Sequence, residues 1–259
     1  MARKVINRTG EEGVNNFGSK MVIVKYRKYS DIDVYFPEYD WTFKNVQYSK
    51  FKNGGIKCPY EPRYYGFGYL GEGKYKVKEN GKNSDEYDIW YRMLQRCYDP
   101  KFHKRESTYK DCKVEDYFLN FQHMGEWIEN NYYEVPGEIM CLDKDILYKG
   151  NKVYSRETCI FVPKRINNLF TKKDNGRGDC PIGATPRVSG NYQVFCSNGY
   201  GKLINLGTYT TKEEAFQIYK EYKEKVIKEV IDSYEGRIPE PFYSKLKTAM
   251  YNYEVEITD

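Results

Sequence analysis

A chain of 259 residues, 31% charged and 17% aromatic with a formal net charge of +5, suffices for one large domain or two to three small ones. No apolar run is long enough to cross a membrane, and the first residues, MARKVINRTG, lack the apolar segment of a signal peptide, so we expect neither a membrane nor a secreted protein. Seven cysteines without a CxxC pair do not fit a four-ligand zinc site, so we expect no structural zinc and reduced thiols in the cytoplasm.

Residues 1–80 predict a small β-rich domain. Residues 21–24 and 31–36 are rich in β-branched side chains, and 41–51 alternate loosely, as is typical of short strands. The loop GFGYLGEGKY at 66–75 is glycine-rich. It lacks the strand, the GxxxxGK[ST] motif and the helix of a phosphate-binding loop, so it indicates turns.

Residues 83–131 are predicted to be mostly helical. Asn83 and Glu86 have the spacing of a capping box, and an apolar stripe follows at helical spacing. A second helix is expected from about 115 to 130. The aromatic residues of this helix that we expect to face a core are Phe118, Phe121 and Trp127.

The stretch MCLDKDILYKGNKVYSRETCIFVPKRINNLF, residues 140–170, predicts a β-hairpin followed by a helix. Residues 139–143 form a strand that ends in an acid, 159–162 form an antiparallel strand, and Pro163 suits the first turn of a helix. Asp143 and Asn167 would then converge, and carboxylate and amide oxygens are ligands that Mg²⁺ prefers. Such a metal would stabilise the departing 3′-oxygen in phosphodiester cleavage. The alternative is that Asp143 and Asp145 are two solvated turn acids.

From Cys180 onward the pattern predicts a compact module of three strands and one helix. The strands are expected at 184–188, 192–196 and 202–206, separated by turns. Thr211 and Glu214 form a capping box for an amphipathic helix.

The net charge of the chain is concentrated between residues 163 and 210. This segment contains seven basic and two acidic residues, so it carries +5 while the remainder sums to about zero. A local basic strip is what a surface that follows DNA phosphates requires, although a solvated linker would have the same charge. The basic residues are Lys164, Arg165, Lys172, Lys173, Arg177, Arg187 and Lys202.

Together with WYRMLQRCYDP (90–100) and TYKDCKVEDYFLNFQHMGEW (108–127), the 140–170 stretch resembles the HNH, or ββα-metal, nuclease core of a phage-borne group. The resemblance covers residues 83–172 and implies a Mg²⁺- or Mn²⁺-dependent DNA endonuclease or nickase of homing type. It implies a cytoplasmic phage protein inside a bacterial host. The residues implied for catalysis are Asp143, Lys144, Asp145, Asn151 and Asn167, with Asp143 and Asn167 as metal ligands.

The HNH family uses a histidine on the first strand as general base, and this chain has none there. Alignment through Asp143 puts Lys144 at that position, and a shift of one residue puts Asp143 there. A lysine with an ordinary pKa near 10 is a poor base at neutral pH, although activation of water by the metal would make the base unnecessary. Two alternatives stay open: an inactive scaffold that binds DNA as a regulator or anti-defence protein, and an inhibitor that binds a host protein.

The segment IGATPRVSGNYQVFCSNGYGKLINLGTYTTKEEAFQIYKEYKEKV resembles the APETALA/ethylene-response-factor type of DNA-binding domain. In that family a three-stranded sheet lies in the major groove and the helix supports it from behind. The resemblance implies that Arg187 and Gln193 read base edges while Lys202 contacts phosphate. Tyr192 is a further candidate contact, and alternation favours Phe195 as part of the core between sheet and helix.

The sequence therefore predicts an α+β protein of four segments that binds double-stranded DNA, with a host or phage protein as a possible further partner. The segments are a β-rich N-terminal domain at 1–80, an HNH-like core at 83–172, an APETALA-like module at 180–235 and a docking tail at 236–259.

Overall fold

The computed structural model describes residues 6–171 and 180–257, so Lys172, Lys173 and Arg177 of the basic strip lie outside the described residues. The fold is α+β, as predicted, and divides into two compact units, Met1–Ile128 and Glu129–Asp259. None of the helices described within these ranges is long and apolar enough to cross a membrane.

The first unit begins with a four-stranded antiparallel sheet whose strands are neighbours in chain order. The buried side chains of β2 and β3 alternate along each strand, so one face of the sheet forms a core. Residues 21–24 and 31–36 are strands as predicted, whereas the end of the 41–51 segment is helical. The elements are β1 (Glu12–Val14), β2 (Lys20–Lys28), β3 (Asp31–Phe36), β4 (Trp41–Val46) and α1 (Tyr48–Lys52).

The remainder of this unit is mainly helical, as predicted. Its elements are β5 (Lys78–Glu79), β6 (Lys82–Asn83), α2 (Asp85–Tyr98), α3 (Pro100–Arg105), β7 (Lys113–Val114), α4 (Asp116–Leu119) and α5 (Phe121–Asn131). The predicted cap of α2 is wrong by one residue. Ser84 Oγ accepts the Tyr87 backbone N–H at 3.3 Å, while the Asn83 side chain donates to Asp88 instead.

The prediction of a single helix over 115–130 is also wrong, because the helix is interrupted at Asn120. Asn120 has extended backbone angles, and the neighbouring backbone groups pair with Tyr69. Tyr69 N–H donates to the Leu119 carbonyl at 3.0 Å, and Phe121 N–H donates to the Tyr69 carbonyl at 2.9 Å. These bonds take the place of helical ones, so a distant partner overrides the local helical pattern.

The second unit contains the predicted hairpin and helix. Its first elements are β8 (Met140–Asp143), β9 (Val153–Tyr154), β10 (Ile160–Pro163) and α6 (Lys164–Leu169). Strands β8 and β10 are antiparallel, with Asp143 opposite Ile160 and Met140 opposite Pro163. Pro163 is the N-cap of α6, close to the predicted helix start.

A three-stranded antiparallel sheet and a long helix follow, in agreement with the predicted module. Thr211 Oγ1 accepts the Glu214 backbone N–H at 3.1 Å and so caps the helix. The tail docks on this helix, since Tyr251 donates its hydroxyl to Asp232 at 2.6 Å. The elements are β11 (Ala184–Pro186), β12 (Tyr192–Ser197), β13 (Leu203–Tyr209), α7 (Lys212–Asp232) and α8 (Phe242–Tyr251).

Candidate functional site

Asp143 closes the turn that follows β8. Its Oδ1 accepts the backbone N–H groups of Asp145 and Ile146, both at 2.8 Å. Burial and the negative charge of Asp145 raise the pKa of Asp143 to about 6. One carboxylate oxygen of Asp143 therefore stabilises the turn. The ionised form of the same group is disfavoured by burial and by repulsion from Asp145.

Lys144 is buried, with 6% of its surface exposed. Its Nζ lies 2.9 Å from Asp145 Oδ2 and 5.8 Å from the centre of the Tyr154 ring. Lys144 is thus an internal cation paired with Asp145.

Asn151 fixes the connection between β8 and β9. Its side-chain Nδ2 donates to the carbonyls of Lys144 and Val153, both at 2.7 Å. Its Oδ1 accepts the Val153 backbone N–H at 3.2 Å. All of its amide groups are used inside the protein, which is the geometry of a residue that positions the turn rather than one that contacts a substrate.

Asn167 lies on α6 and is half-buried. In the β8–β10 register Asp143 is three residues, or about 10 Å, from the end of the ladder where α6 begins. Helix α6 packs against β8. No hydrogen bond joins Asn167 to Asp143, Asp145 or Asn151, all of which are described residues.

Asp143 and Asp145 are the two carboxylates of this turn, and within the described residues no group of three or more His, Cys, Asp or Glu side chains could hold a metal ion. After burial, the negative charge of Asp145 is the main cause of the raised pKa of Asp143. A cation with hard oxygen ligands would relieve the repulsion between the two carboxylates, and Mg²⁺ and Mn²⁺ prefer such ligands. Asp145 is therefore a closer partner of Asp143 than the predicted ligand Asn167.

The three-stranded sheet has one face against α7 and one open face. Val194 and Cys196 are buried and face the helix, so alternation puts Gln193 and Phe195 on the open face. The expectation that Phe195 belongs to the core is therefore wrong. Tyr192 shares the parity of Val194 and is half-buried on the helix side, away from the face predicted to contact DNA.

The sheet and its turns present polar groups that lack partners. Arg187 and Lys202 are exposed, and neither side chain is paired within residues 6–171 and 180–257. The Oε1 atom of Gln193 is buried and accepts no hydrogen bond from any described residue. Buried polar atoms normally have partners, so this oxygen is an unsatisfied acceptor within the described part of the sheet.

The other predicted DNA-binding residues on described elements are at the start of α6. Lys164 is exposed, whereas Arg165 is half-buried with its Nη2 3.2 Å from Glu138 Oε1. The guanidinium carbon of Arg165 lies 4.9 Å from the centre of the Tyr200 ring. Sequence analysis missed Tyr200, although an aromatic residue between two glycines within a basic segment, NGYGK, was the available signal.

Comparison with protein-family models, with curated proteins and with solved structures finds no match to this chain.

Proposed function

We propose that the chain binds double-stranded DNA and that its β8–β10–α6 core cleaves a phosphodiester bond with Mg²⁺ or Mn²⁺. The observation that carries the proposal is the carboxylate pair of Asp143 and Asp145 at the end of β8, in a hairpin that continues into a helix. A paired acid whose pKa is strongly raised is typical of functional sites. A cytoplasmic location, where DNA is present, is part of this proposal.

In this proposal the chain's own residues hold and orient the cation. Asp143 and Asp145 are the carboxylate ligands, and Asn167 supplies a further oxygen from α6. Asn151 anchors the turn through its bonds to the Lys144 and Val153 carbonyls. The bound cation would supply stabilisation of the departing 3′-oxygen.

The sheet of β11, β12 and β13 is the proposed DNA-contacting surface. Arg187 can donate to guanine and Gln193 can pair with adenine in the major groove, while Lys202 contacts phosphate. Helix α7 holds the sheet from the opposite face through Val194 and Cys196. The position of Gln193 on the face opposite Val194 and Cys196 supports this assignment.

The second candidate is a DNA-binding protein whose core has no cleavage activity. The ion pair between Lys144 and Asp145 favours it, because the ammonium already neutralises one of the two carboxylates that a metal would use. In that case the turn is only structural, and the open sheet face alone carries the function.

Incubation of the purified chain with supercoiled and linear DNA, in Mg²⁺, Mn²⁺ or chelator, separates the two candidates. Metal-dependent nicking or linearisation supports the nuclease. Binding without cleavage in either metal, over many sequences, supports the scaffold. Thermal unfolding with increasing Mg²⁺ provides a second readout, since a metal that binds only the folded state raises the melting temperature. This stabilisation should be absent in Asp143→Asn.

A further inference from the structure

A cleft of about 360 Å³ in the second unit belongs to neither the turn at Asp143 nor the open sheet face. It is lined by residues 137–139 before β8, by Lys164, Arg165 and Asn168 of α6, and by residues 199–201 between β12 and β13. Its volume falls in the range of sites that hold small molecules. The cleft therefore connects the hairpin–helix core with the sheet module.

Close packing fixes the wall formed by the β12–β13 turn. Gly199 has a φ of +76°, and a Cβ at this position would lie 2.6 Å from Val230 Cγ2 of α7 and 3.6 Å from Leu169 Cδ2 of α6. Only glycine permits this approach at that backbone angle. Because the turn rests on both helices, the two walls of the cleft are held in place relative to each other.

Arg165 is held in a fixed position inside the cleft. Its guanidinium carbon lies 4.9 Å from the Tyr200 ring centre and 6.0 Å from the Tyr234 ring centre. Glu138 Oε1 lies 3.2 Å from Arg165 Nη2 and accepts a hydrogen bond from the Tyr234 hydroxyl at 2.8 Å. A guanidinium has five N–H donors, so a single carboxylate partner leaves most of them available to a ligand. The rings and Glu138 set the orientation of the group before any ligand binds.

Tyr200 adds an aromatic surface, with 54% of the residue exposed. Lys164 and Asn168, both exposed, line the same cleft, and within the described residues their side chains make no hydrogen bond or ion pair. An aromatic ring beside fixed and mobile cations is the combination with which proteins hold unpaired nucleotides. In a duplex both faces of each base are covered by neighbouring bases, so only a nucleotide outside the stack can use this ring.

We propose that the cleft binds one unpaired nucleotide of a DNA strand, with its base stacked on Tyr200 and its phosphate contacted by Lys164 and Arg165. The amide of Asn168 supplies one donor and one acceptor for the base edge. The inference rests on the proposed DNA binding but does not depend on cleavage. With such a cleft, the chain prefers distorted or locally opened DNA over a regular duplex.

The test uses the full chain in chelator, so that cleavage cannot interfere. A fully paired duplex is compared with the same duplex carrying one unpaired 2-aminopurine, whose fluorescence falls when it stacks on a ring. We expect the wild type to bind the unpaired form about tenfold more tightly and to quench the probe, since stacking of one base on an aromatic ring has about this effect. Tyr200→Leu should lose both the preference and the quenching, whereas Tyr200→Phe should keep both.

Tyr29→Leu is the matched control, because Tyr29 is also exposed, at 60%, and belongs to the first unit. It should behave as the wild type. Equal, salt-sensitive binding of the two duplexes by the wild type overturns this inference and leaves the proposed DNA binding intact. A preference that survives in Tyr200→Leu also overturns it. Binding of neither duplex overturns both this inference and the proposed function.

Discussion

The turn after β8 and the module of the β11–β13 sheet differ in how far their polar side chains are paired inside the protein. At the turn, Asp143 Oδ1, the Lys144 ammonium and the Asn151 amide all have partners inside the protein. In the turns of the sheet module, Arg187 and Lys202 have none among the described residues. Satisfied groups build the fold, whereas unsatisfied ones are available to a ligand.

This difference separates the two parts of the proposed function. DNA binding rests on side chains that the protein leaves unpaired, so it needs no rearrangement. Cleavage rests on the carboxylate oxygens that the turn does not use, and on displacement of Lys144 from Asp145 if both acids are ligands. The sheet therefore needs only DNA, whereas the turn needs a cation as well.

A purely structural role does not explain why position 143 carries an acid rather than an amide. An asparagine at 143 could accept the same two backbone N–H groups through its side-chain oxygen. It would avoid both burial of a charge and repulsion by Asp145, which are the causes of the raised pKa. A carboxylate that destabilises the fold where an amide would serve is an argument for metal binding.

The largest effect is expected on cleavage. Asp143→Ala should lower the cleavage rate at least about a thousandfold, or roughly 4 kcal/mol, because loss of a metal ligand removes stabilisation of the leaving oxygen. DNA binding should change little, since the sheet lies elsewhere. Plasmid nicking and filter binding measure the two properties. Glu157→Gln, an exposed acid between β9 and β10, is the control that should leave both unchanged.

The second prediction concerns stability and pH in the absence of metal. The pKa of Asp143 rises from 3.8 to about 6 on folding, so the folded state binds this proton more tightly than the unfolded state. The resulting penalty is absent below about pH 4, grows as the pH rises and is complete above about pH 6, where it reaches up to about 3 kcal/mol. Asp143→Asn should therefore raise the free energy of unfolding at neutral pH and flatten its pH dependence.

Denaturant unfolding of the wild type and Asp143→Asn in chelator, at a series of pH values, measures this effect. Parallel profiles for the two proteins would contradict the assigned pKa. If Mg²⁺ removes the difference between them at neutral pH by stabilising only the wild type, the same carboxylate is a metal ligand.

The elements that sequence analysis predicted correctly depend on neighbours in the chain. Pro163 at the start of α6 and Thr211 before α7 act within one turn of their own position. Alternation likewise located β8, β10 and the strands of the C-terminal sheet to within a few residues. The polar residues of the β8 turn were also identified, because their spacing is local.

The sequence predictions were wrong where a residue far away in the chain determines the local structure. Asn120 breaks a helix because Tyr69, far away in sequence, pairs with its neighbours. Alternation alone could not say which parity of β12 faces the helix, since both Val194 and Phe195 are apolar. The Lys144 ammonium lies 5.8 Å from the centre of the Tyr154 ring of β9, and this proximity is set by the fold rather than by local spacing. Likewise, the cleft at Tyr200 exists only because α6 and the β12–β13 turn are adjacent in the fold.

The third prediction tests whether close packing holds the sheet module in place. Gly199→Ala should destabilise the protein by about 1–3 kcal/mol more than Gly201→Ala, because overpacking adds to the backbone penalty. Both glycines have positive φ, +76° and +86°, but only at Gly199 would a Cβ meet Val230 and Leu169. Thermal unfolding of the two variants gives the difference. Equal losses would show that the turn can move away from α7.

The fourth prediction concerns sequence discrimination by the open face. Arg187→Ala and Gln193→Ala should each reduce the preference for the cognate site over random DNA by about 1–3 kcal/mol, the value of a good base contact. Tyr192→Phe is a control, since Tyr192 lies on the helix side. Competition binding measures the ratio of the two affinities. If neither substitution alters that ratio, the sheet does not read bases.

The smallest expected effect is at Lys202, which sharpens the contrast between base and phosphate contacts on the same sheet. Lys202 is exposed in the turn before β13. Its backbone N–H donates to Asn198 Oδ1 at 3.1 Å, so its backbone is held in place, while its ammonium has no partner among the described residues. One phosphate contact contributes about 0.9 to the slope of log K against log salt. Lys202→Ala should lower that slope by about this amount and weaken cognate and random DNA equally. A titration of affinity against salt for both DNAs measures it. A change in discrimination without a change in slope would assign Lys202 to base reading, and no change in either would remove this lysine from the interface.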